Sequence, residues 1–263
     1  MGRIEERLAS LRGRNEKALT LFITGGYPEL HSAVNLVRVL EQGGADIVEI
    51  GMPFSDPLAD GPVIQESSSV ALANGTRLQS ILEDVAAIRS YSQIPIVLMG
   101  YMNPIMSFGA KEFFSAAAQC GADGIILPEL PLEEAGRFSE ECQKTGLSQI
   151  LLVTPTSTPE RIRAIDEASR GFVYCVATTG VTGSAGKDPA REYVGNVRRL
   201  VRHNPLLVGF GISSPERACE LSHDADGVII GSALIRKISQ SGNEDGLRSW
   251  VQRYKEALAR SGL

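Results

Sequence analysis

Val48-Glu49-Ile50-Gly51-Met52-Pro53-Phe54-Ser55-Asp56-Pro57-Leu58-Ala59-Asp60-Gly61-Pro62 begins as an apolar run and becomes a loop held by three prolines. The run carries one charge, Glu49, inside it. A continuously apolar segment of this length suits a strand covered on both faces, as in a parallel sheet. Successive side chains alternate across a strand, so Val48 and Ile50 share one face and Ile47, Glu49 and Gly51 the other. If the apolar pair meets helices, Glu49 points to the opposite side of the sheet. The prolines restrict the loop beyond, and it delivers Asp56 and Asp60 at its middle and its end.

The same kind of run recurs along the chain. Leu19–Thr24, Asp46–Gly51, Pro95–Gly100, Asp123–Pro128, Ser148–Val153, Phe172–Ala177, Leu206–Gly211 and Gly227–Ile230 read as eight strands. Amphipathic segments fill the intervals: Leu30–Gln42, Ser80–Arg89, Lys111–Gln119, Leu132–Lys144, Thr158–Ala168, Ala190–Val201, Pro215–Leu221 and Leu247–Leu258. The charged, amphipathic start of the chain adds an N-terminal helix. A Gly-Ala-Asp triplet precedes two of the strands, at Gly44 to Asp46 and Gly121 to Asp123, with an echo at Asp224 to Gly227, which suggests repeated β-α units. Eight alternating units predict an α/β fold, a (β/α)8 TIM barrel forming a single domain over residues 1–263. An open doubly wound sheet is the alternative; no Gly-x-Gly-x-x-Gly follows the first strand to favour it.

Bulk properties exclude several functions. The net charge of −5 and the lack of a basic block argue against nucleic acid or an anionic membrane as partner. No apolar run approaches the length of a membrane span, and the N-terminus has no signal-peptide core, so a cytoplasmic protein is expected. Cys120, Cys142, Cys175 and Cys219 lack C-x-x-C spacing and read as buried free thiols. His31, His203 and His223 fall in or at the ends of helices, with no H-x-H or H-E-x-x-H pattern, so no metal site is expected. No lysine lies in a strand run, which argues against Schiff-base chemistry.

In a barrel the ligand site forms at the C-terminal ends of the strands. Glu49 would stand there as a carboxyl whose pKa burial raises, suited to general acid–base work, or as a buried glutamate satisfied by amides or a lysine. Asp60 either overhangs the same mouth or caps a helix starting at Pro62. Asp56 has three readings: a turn residue, a substrate contact or a protein contact on the rim. Gly209-Phe210-Gly211-Ile212-Ser213-Ser214-Pro215 and Gly231-Ser232-Ala233 end the seventh and eighth strands and open helices. Backbone amides at such positions favour a phosphate. Gly180-Val181-Thr182-Gly183, after the sixth strand, either adds amides to that cradle or forms a lid.

With these segments in order, the sequence resembles the tryptophan synthase alpha subunit family over nearly its whole length. The resemblance rests on Phe22-Ile23-Thr24-Gly25-Gly26-Tyr27-Pro28, on Glu49 to Pro62, on Tyr101-Met102-Asn103-Pro104, on Gly180 to Gly183 and on Gly209 to Ser213. It implies retro-aldol cleavage of indole-3-glycerol phosphate, with Glu49 as general acid/base and Asp60 at the indole nitrogen. It implies substrate contacts at Phe22, Tyr101, Tyr174, Thr182, Gly183, Phe210, Gly211, Gly231 and Ser232. Tyr174 alone, without the resemblance, also reads as a barrel-filling aromatic. The family works with a beta subunit in an alpha2-beta2 tetramer; that partner carries pyridoxal phosphate, and this chain needs no cofactor. Pro53 and Asp56 then lie on the partner side. A stand-alone indole-glycerol-phosphate lyase is the alternative. Two departures stand out: Glu129 where many relatives have aspartate, and Thr178-Thr179 where some carry an arginine.

Overall fold

The computed structural model describes residues 2–177, 188–240 and 243–259, excepting the Arg137 side chain. Its eight strands are β1 (Ala18–Thr24), β2 (Ile47–Gly51), β3 (Ile96–Met99), β4 (Gly124–Ile126), β5 (Ser148–Val153), β6 (Val173–Val176), β7 (Leu206–Gly209) and β8 (Gly227–Ile230). All pair in parallel with their sequence neighbours, and β8 pairs with β1 to close the barrel. Twelve helices are described. Those of the first half are α1 (Arg3–Gly13), α2 (Ser32–Gln42), α3 (Pro62–Ala73), α4 (Leu78–Arg89), α5 (Met102–Phe108) and α6 (Ala110–Cys120). The second half holds α7 (Leu132–Thr145), α8 (Pro159–Ala168), α9 (Pro189–Leu200), α10 (Pro215–Ser222), α11 (Ser232–Gln240) and α12 (Glu244–Ala259). The closed sheet confirms the expected barrel.

Burial divides the strand residues as alternation requires. Leu19, Leu21, Ile23, Val48, Ile50, Ile96 and Leu98 pack outward into the layer shared with the helices. Ala18, Ile47, Val97, Ile126, Ile150, Tyr174, Leu207 and Ile229 fill the interior. Ile4, Leu8 and Leu11 of α1 join the interior cluster at the end where the strands begin, so α1 stoppers the barrel floor and leaves the opposite end open.

The recurrent Gly-Ala-Asp triplet proves to be a fastening device at that floor. The Asp46 carboxylate accepts the Leu19 N–H at 2.7 Å, Asp123 accepts the Ile96 N–H at 2.8 Å, and Asp226 accepts the Leu206 N–H at 2.8 Å. Each thus ties the start of its strand to a neighbouring one. Cations neutralise them: Arg7 and Lys255 at Asp46, Arg3 and Arg89 at Asp123, Arg198 at Asp226. The Asp123 and Arg89 side chains are only 6% and 10% exposed. Asp123→Ala strands the Arg89 charge in a dry setting, and we expect a loss of about 3–5 kcal/mol in urea unfolding. A loss under ~1 kcal/mol, the range of an exposed pair, would contradict this.

Five strands, β2, β3, β4, β6 and β7, are shorter than expected, and α3, α5 and α11 lie outside the expected helical segments. β7 stops at Gly209 because Phe210 and Gly211 both take positive φ, 78° and 72°, a conformation that cannot continue a strand. β4 keeps three residues of its six-residue apolar run, since Pro128 and the Glu129-Leu130-Pro131 turn follow at once. The sequence raised α3 only as a possible start at Pro62 and α11 only as a start at Gly231 to Ala233, and α5 not at all. α3 carries three consecutive serines and α5 an internal proline, so neither shows a clear amphipathic stripe.

Candidate active site at the barrel mouth

Glu49 lies on the interior face of β2, in register with Phe22 of β1 and Val97 of β3. It is fully buried, and neither carboxyl oxygen has a hydrogen-bond partner among the described residues. The alternative of a glutamate satisfied by amides or a lysine is therefore not realised there. Burial without compensation disfavours the charged form, and it pushes the Glu49 pKa from 4.5 to about 8. At neutral pH the group is chiefly the neutral acid.

Asp60 sits in the loop between β2 and α3. The helix cap is Gly61, which makes no side-chain cap bond, so Asp60 does not serve as the N-cap. Its Oδ2 instead accepts a hydrogen bond from the Tyr101 hydroxyl at 3.0 Å. Burial raises the Asp60 pKa, and the Tyr101 bond works against that rise. The two carboxyl groups thus differ in kind: one unpartnered in the interior, the other hydrogen-bonded at the rim.

Above them lies a cavity of about 450 Å³. Phe22, Ile64, Met99 and Ile229 give it apolar walls, and Asp60, Gly61, Tyr174, Phe210, Gly211, Ser213, Gly231, Ser232 and Arg236 complete the lining. Its volume is in the range typical of small-molecule sites. Glu49 does not itself line this cavity; its register neighbour Phe22 does. The Tyr174 hydroxyl is held well above its ordinary pKa, first by burial and then by the negative charges of Glu49 and Asp60.

Two glycines make room for these rings. A Cβ on Gly51 would lie 2.4 Å from the Phe22 ring, and one on Gly209 would lie 2.5 Å from the Tyr174 hydroxyl oxygen. The far wall combines the Phe210-Gly211 turn with the first turn of α11, whose leading amides have no intrahelical acceptor. Such a wall favours an anion.

Of the sequence expectations, Asp60, Phe22, Tyr174, Phe210, Gly211, Gly231 and Ser232 line one cavity, and Glu49 is buried beside it in register with Phe22. Tyr101 is buried beside Asp60 and does not line the main cavity, so its hydroxyl serves the carboxylate. Thr182 and Gly183 lie outside the described residues, as do Thr178, Thr179, Gly180 and Val181. Pro53 is buried and Asp56 exposed, so Asp56 is the one of the two that offers surface. Sequence reasoning missed Met99 and Arg236. Met99 follows Val97 by the alternation that puts both inside, and Arg236 stands one helical turn after Ser232, so each had a signal in spacing alone.

No cluster of three or more His, Cys, Asp or Glu suited to a metal occurs among the described residues. A closed parallel barrel with two carboxyl groups in contrasting environments at its open end defines the class: a (β/α)8-barrel enzyme equipped for acid–base chemistry. Within that class, the family model for the tryptophan synthase alpha chain matches residues 8–261, and the chain belongs to that family. It is 48% identical over 264 residues to the tryptophan synthase alpha chain of Geotalea daltonii, covering 98% of this chain and all of that one. Among solved structures, the tryptophan synthase alpha subunit of Legionella pneumophila superposes with a TM-score of 0.88 at 35% identity, covering 99% of both chains. A chain of tryptophan synthase from M. tuberculosis, in an aminoacrylate-bound form, gives 0.87 at 35% identity, covering 98% of this chain and all of that one.

Proposed function

We propose that this chain cleaves indole-3-glycerol phosphate to indole and glyceraldehyde 3-phosphate, and that a tryptophan synthase beta subunit takes up the indole. The observation that carries this reading is Glu49, a buried carboxyl with no partner for either oxygen among the described residues, poised near neutral pH. The substrate has an aromatic end and a dianionic end. Phe22, Ile64 and Met99 suit the first; Gly211, Gly231, Ser232 and the start of α11 suit the second.

The chemistry follows from the two carboxyl groups. Glu49 donates its proton to indole C3, giving an iminium-like ring whose C=N bond is the electron sink. Asp60, as carboxylate, accepts the ring N–H and stabilises the positive charge that develops there. Glu49, now ionised, removes the proton from the hydroxyl on the carbon attached to C3. That oxygen becomes the aldehyde, and the carbon–carbon electron pair flows into the ring and restores indole. One proton enters and one leaves, so a single residue closes the cycle, and contrasting environments assign the two acids their separate roles.

The partner reading is supported by the loop after β2. Asp56 is exposed there, and the apolar side chain of Leu58 is 92% exposed. Pyridoxal phosphate belongs to the beta partner in this proposal, the assembly is an alpha2-beta2 tetramer, and the setting is cytoplasmic. No helix among the described residues is long and apolar enough to cross a membrane.

The test is indole release from indole-3-glycerol phosphate by the purified chain, with and without a beta subunit. Slow release alone and marked acceleration by the partner are expected. Fast release that the partner does not change would establish a stand-alone lyase instead, and no release under either condition would refute the proposed reaction.

A further inference from the structure

Glu129 has no part in the chemistry above, yet a hydrogen-bonded path leads from it to Asp60. It lies in the turn between β4 and α7. Its Oε1 accepts the backbone N–H of Met102, the first residue of α5, at 2.5 Å. Tyr101 occupies the N-cap position of α5 and supplies no side-chain cap bond. Glu129 therefore does from the turn after the neighbouring strand what a capping side chain does locally, and its charge matches the positive end of the helix.

The Tyr101 side chain is consequently free for another task. Its hydroxyl accepts the Ala59 N–H at 3.1 Å and donates to Asp60 Oδ2 at 3.0 Å. The ring is buried and packs against Phe54 with centroids 5.4 Å apart. One hydroxyl thus grips the loop after β2 by its backbone and by its carboxylate together. The turn after β4, the start of α5 and that loop follow three different strands, and this path of bonds joins Glu129 to Asp60, whose pKa burial raises first and the Glu129 charge also raises through space.

We propose that Glu129 is a positioning residue, which fixes the first turn of α5 and thereby the Tyr101 hydroxyl that holds Asp60 in the mouth. The inference deepens the proposed function and rests on Asp60 acting there. An aspartate in this turn would be one methylene shorter, so the reach to Met102 depends on the glutamate present.

Two readouts test it on the full-length chain. The first is amide hydrogen exchange, which needs no substrate. Glu129→Ala is expected to speed exchange at both Met102 and Ala59 by about tenfold, the loss of roughly one hydrogen bond at each. Glu129→Gln keeps an acceptor oxygen and should stay near the parent. Faster exchange at Met102 alone would reduce Glu129 to a local cap and overturn the proposal. The second is a double-mutant cycle on kcat for indole release. Glu129→Ala and Tyr101→Phe should each lower kcat by about tenfold with KM little changed, and the double variant should be no worse than about the more impaired single. Losses that multiply, or an unchanged kcat in Glu129→Ala, would overturn it. If the parent chain releases no indole, the functional reading fails by itself, and the exchange experiment still decides the role of Glu129.

Discussion

Glu49→Gln lowers kcat for indole release by about 100- to 10,000-fold, the range set by loss of a general acid–base group, and at the same time makes the protein more stable at alkaline pH. Both effects have one cause. The ordinary glutamate value is 4.5, and burial lifts that of Glu49 to about 8. Between these values the folded chain binds a proton that the unfolded chain releases. The stability this group contributes is therefore complete below pH ~4.5 and is lost as pH rises through about 8, with a slope approaching ~1.4 kcal/mol per pH unit. Glutamine does not titrate, so that slope disappears in the variant. Urea unfolding of parent and variant across this interval measures it. Parallel curves would mean that Glu49 titrates as an exposed carboxyl does. Binding of glycerol 3-phosphate should persist in the variant, since the glycine wall lies elsewhere in the cavity. A structural glutamate would show the opposite pattern, with stability lost and turnover kept.

Asp60→Asn lowers kcat by about 100- to 1,000-fold, the magnitude found when one stabilising group is removed from a developing charge. The amide keeps an acceptor oxygen for the Tyr101 hydroxyl, so the loop geometry survives and the missing element is the negative charge. The stability of α3 should not change, because its cap is Gly61. Indole release at the parent rate would remove Asp60 from the reaction. A large fall in unfolding free energy would instead mark it as structural.

The barrel was legible because each strand is covered on both faces, so its run is apolar throughout, as in Leu206 to Val208 or Val228 to Ile230. The end of β7 was not, since the runs of hydrophobicity do not report that Phe210 turns into positive φ. Glu49 was legible as a charge in an apolar run. What it does there depends on having no partner among the described residues, and that is a property of the packed interior rather than of the segment. The N-cap reading of Asp60 was equally open in the sequence, and a bond to Tyr101, 41 residues away, settled the geometry. The Gly-Ala-Asp repeat was visible as a pattern but not as a fastening between strand starts, for the same reason: each aspartate bonds an amide of another strand. Local patterns carried the elements, and pairings across the mouth carried the site.

The central claim is that the Glu49 carboxyl is poised near neutral pH. It is tested most directly by carbon-13 NMR titration of glutamate carboxyls in the free chain, with Glu49→Gln identifying the resonance. A midpoint near 8 is the predicted result. A midpoint near the ordinary 4.5 would contradict the account, because the residue would then be fully ionised at neutral pH and unable to give a proton to the indole ring.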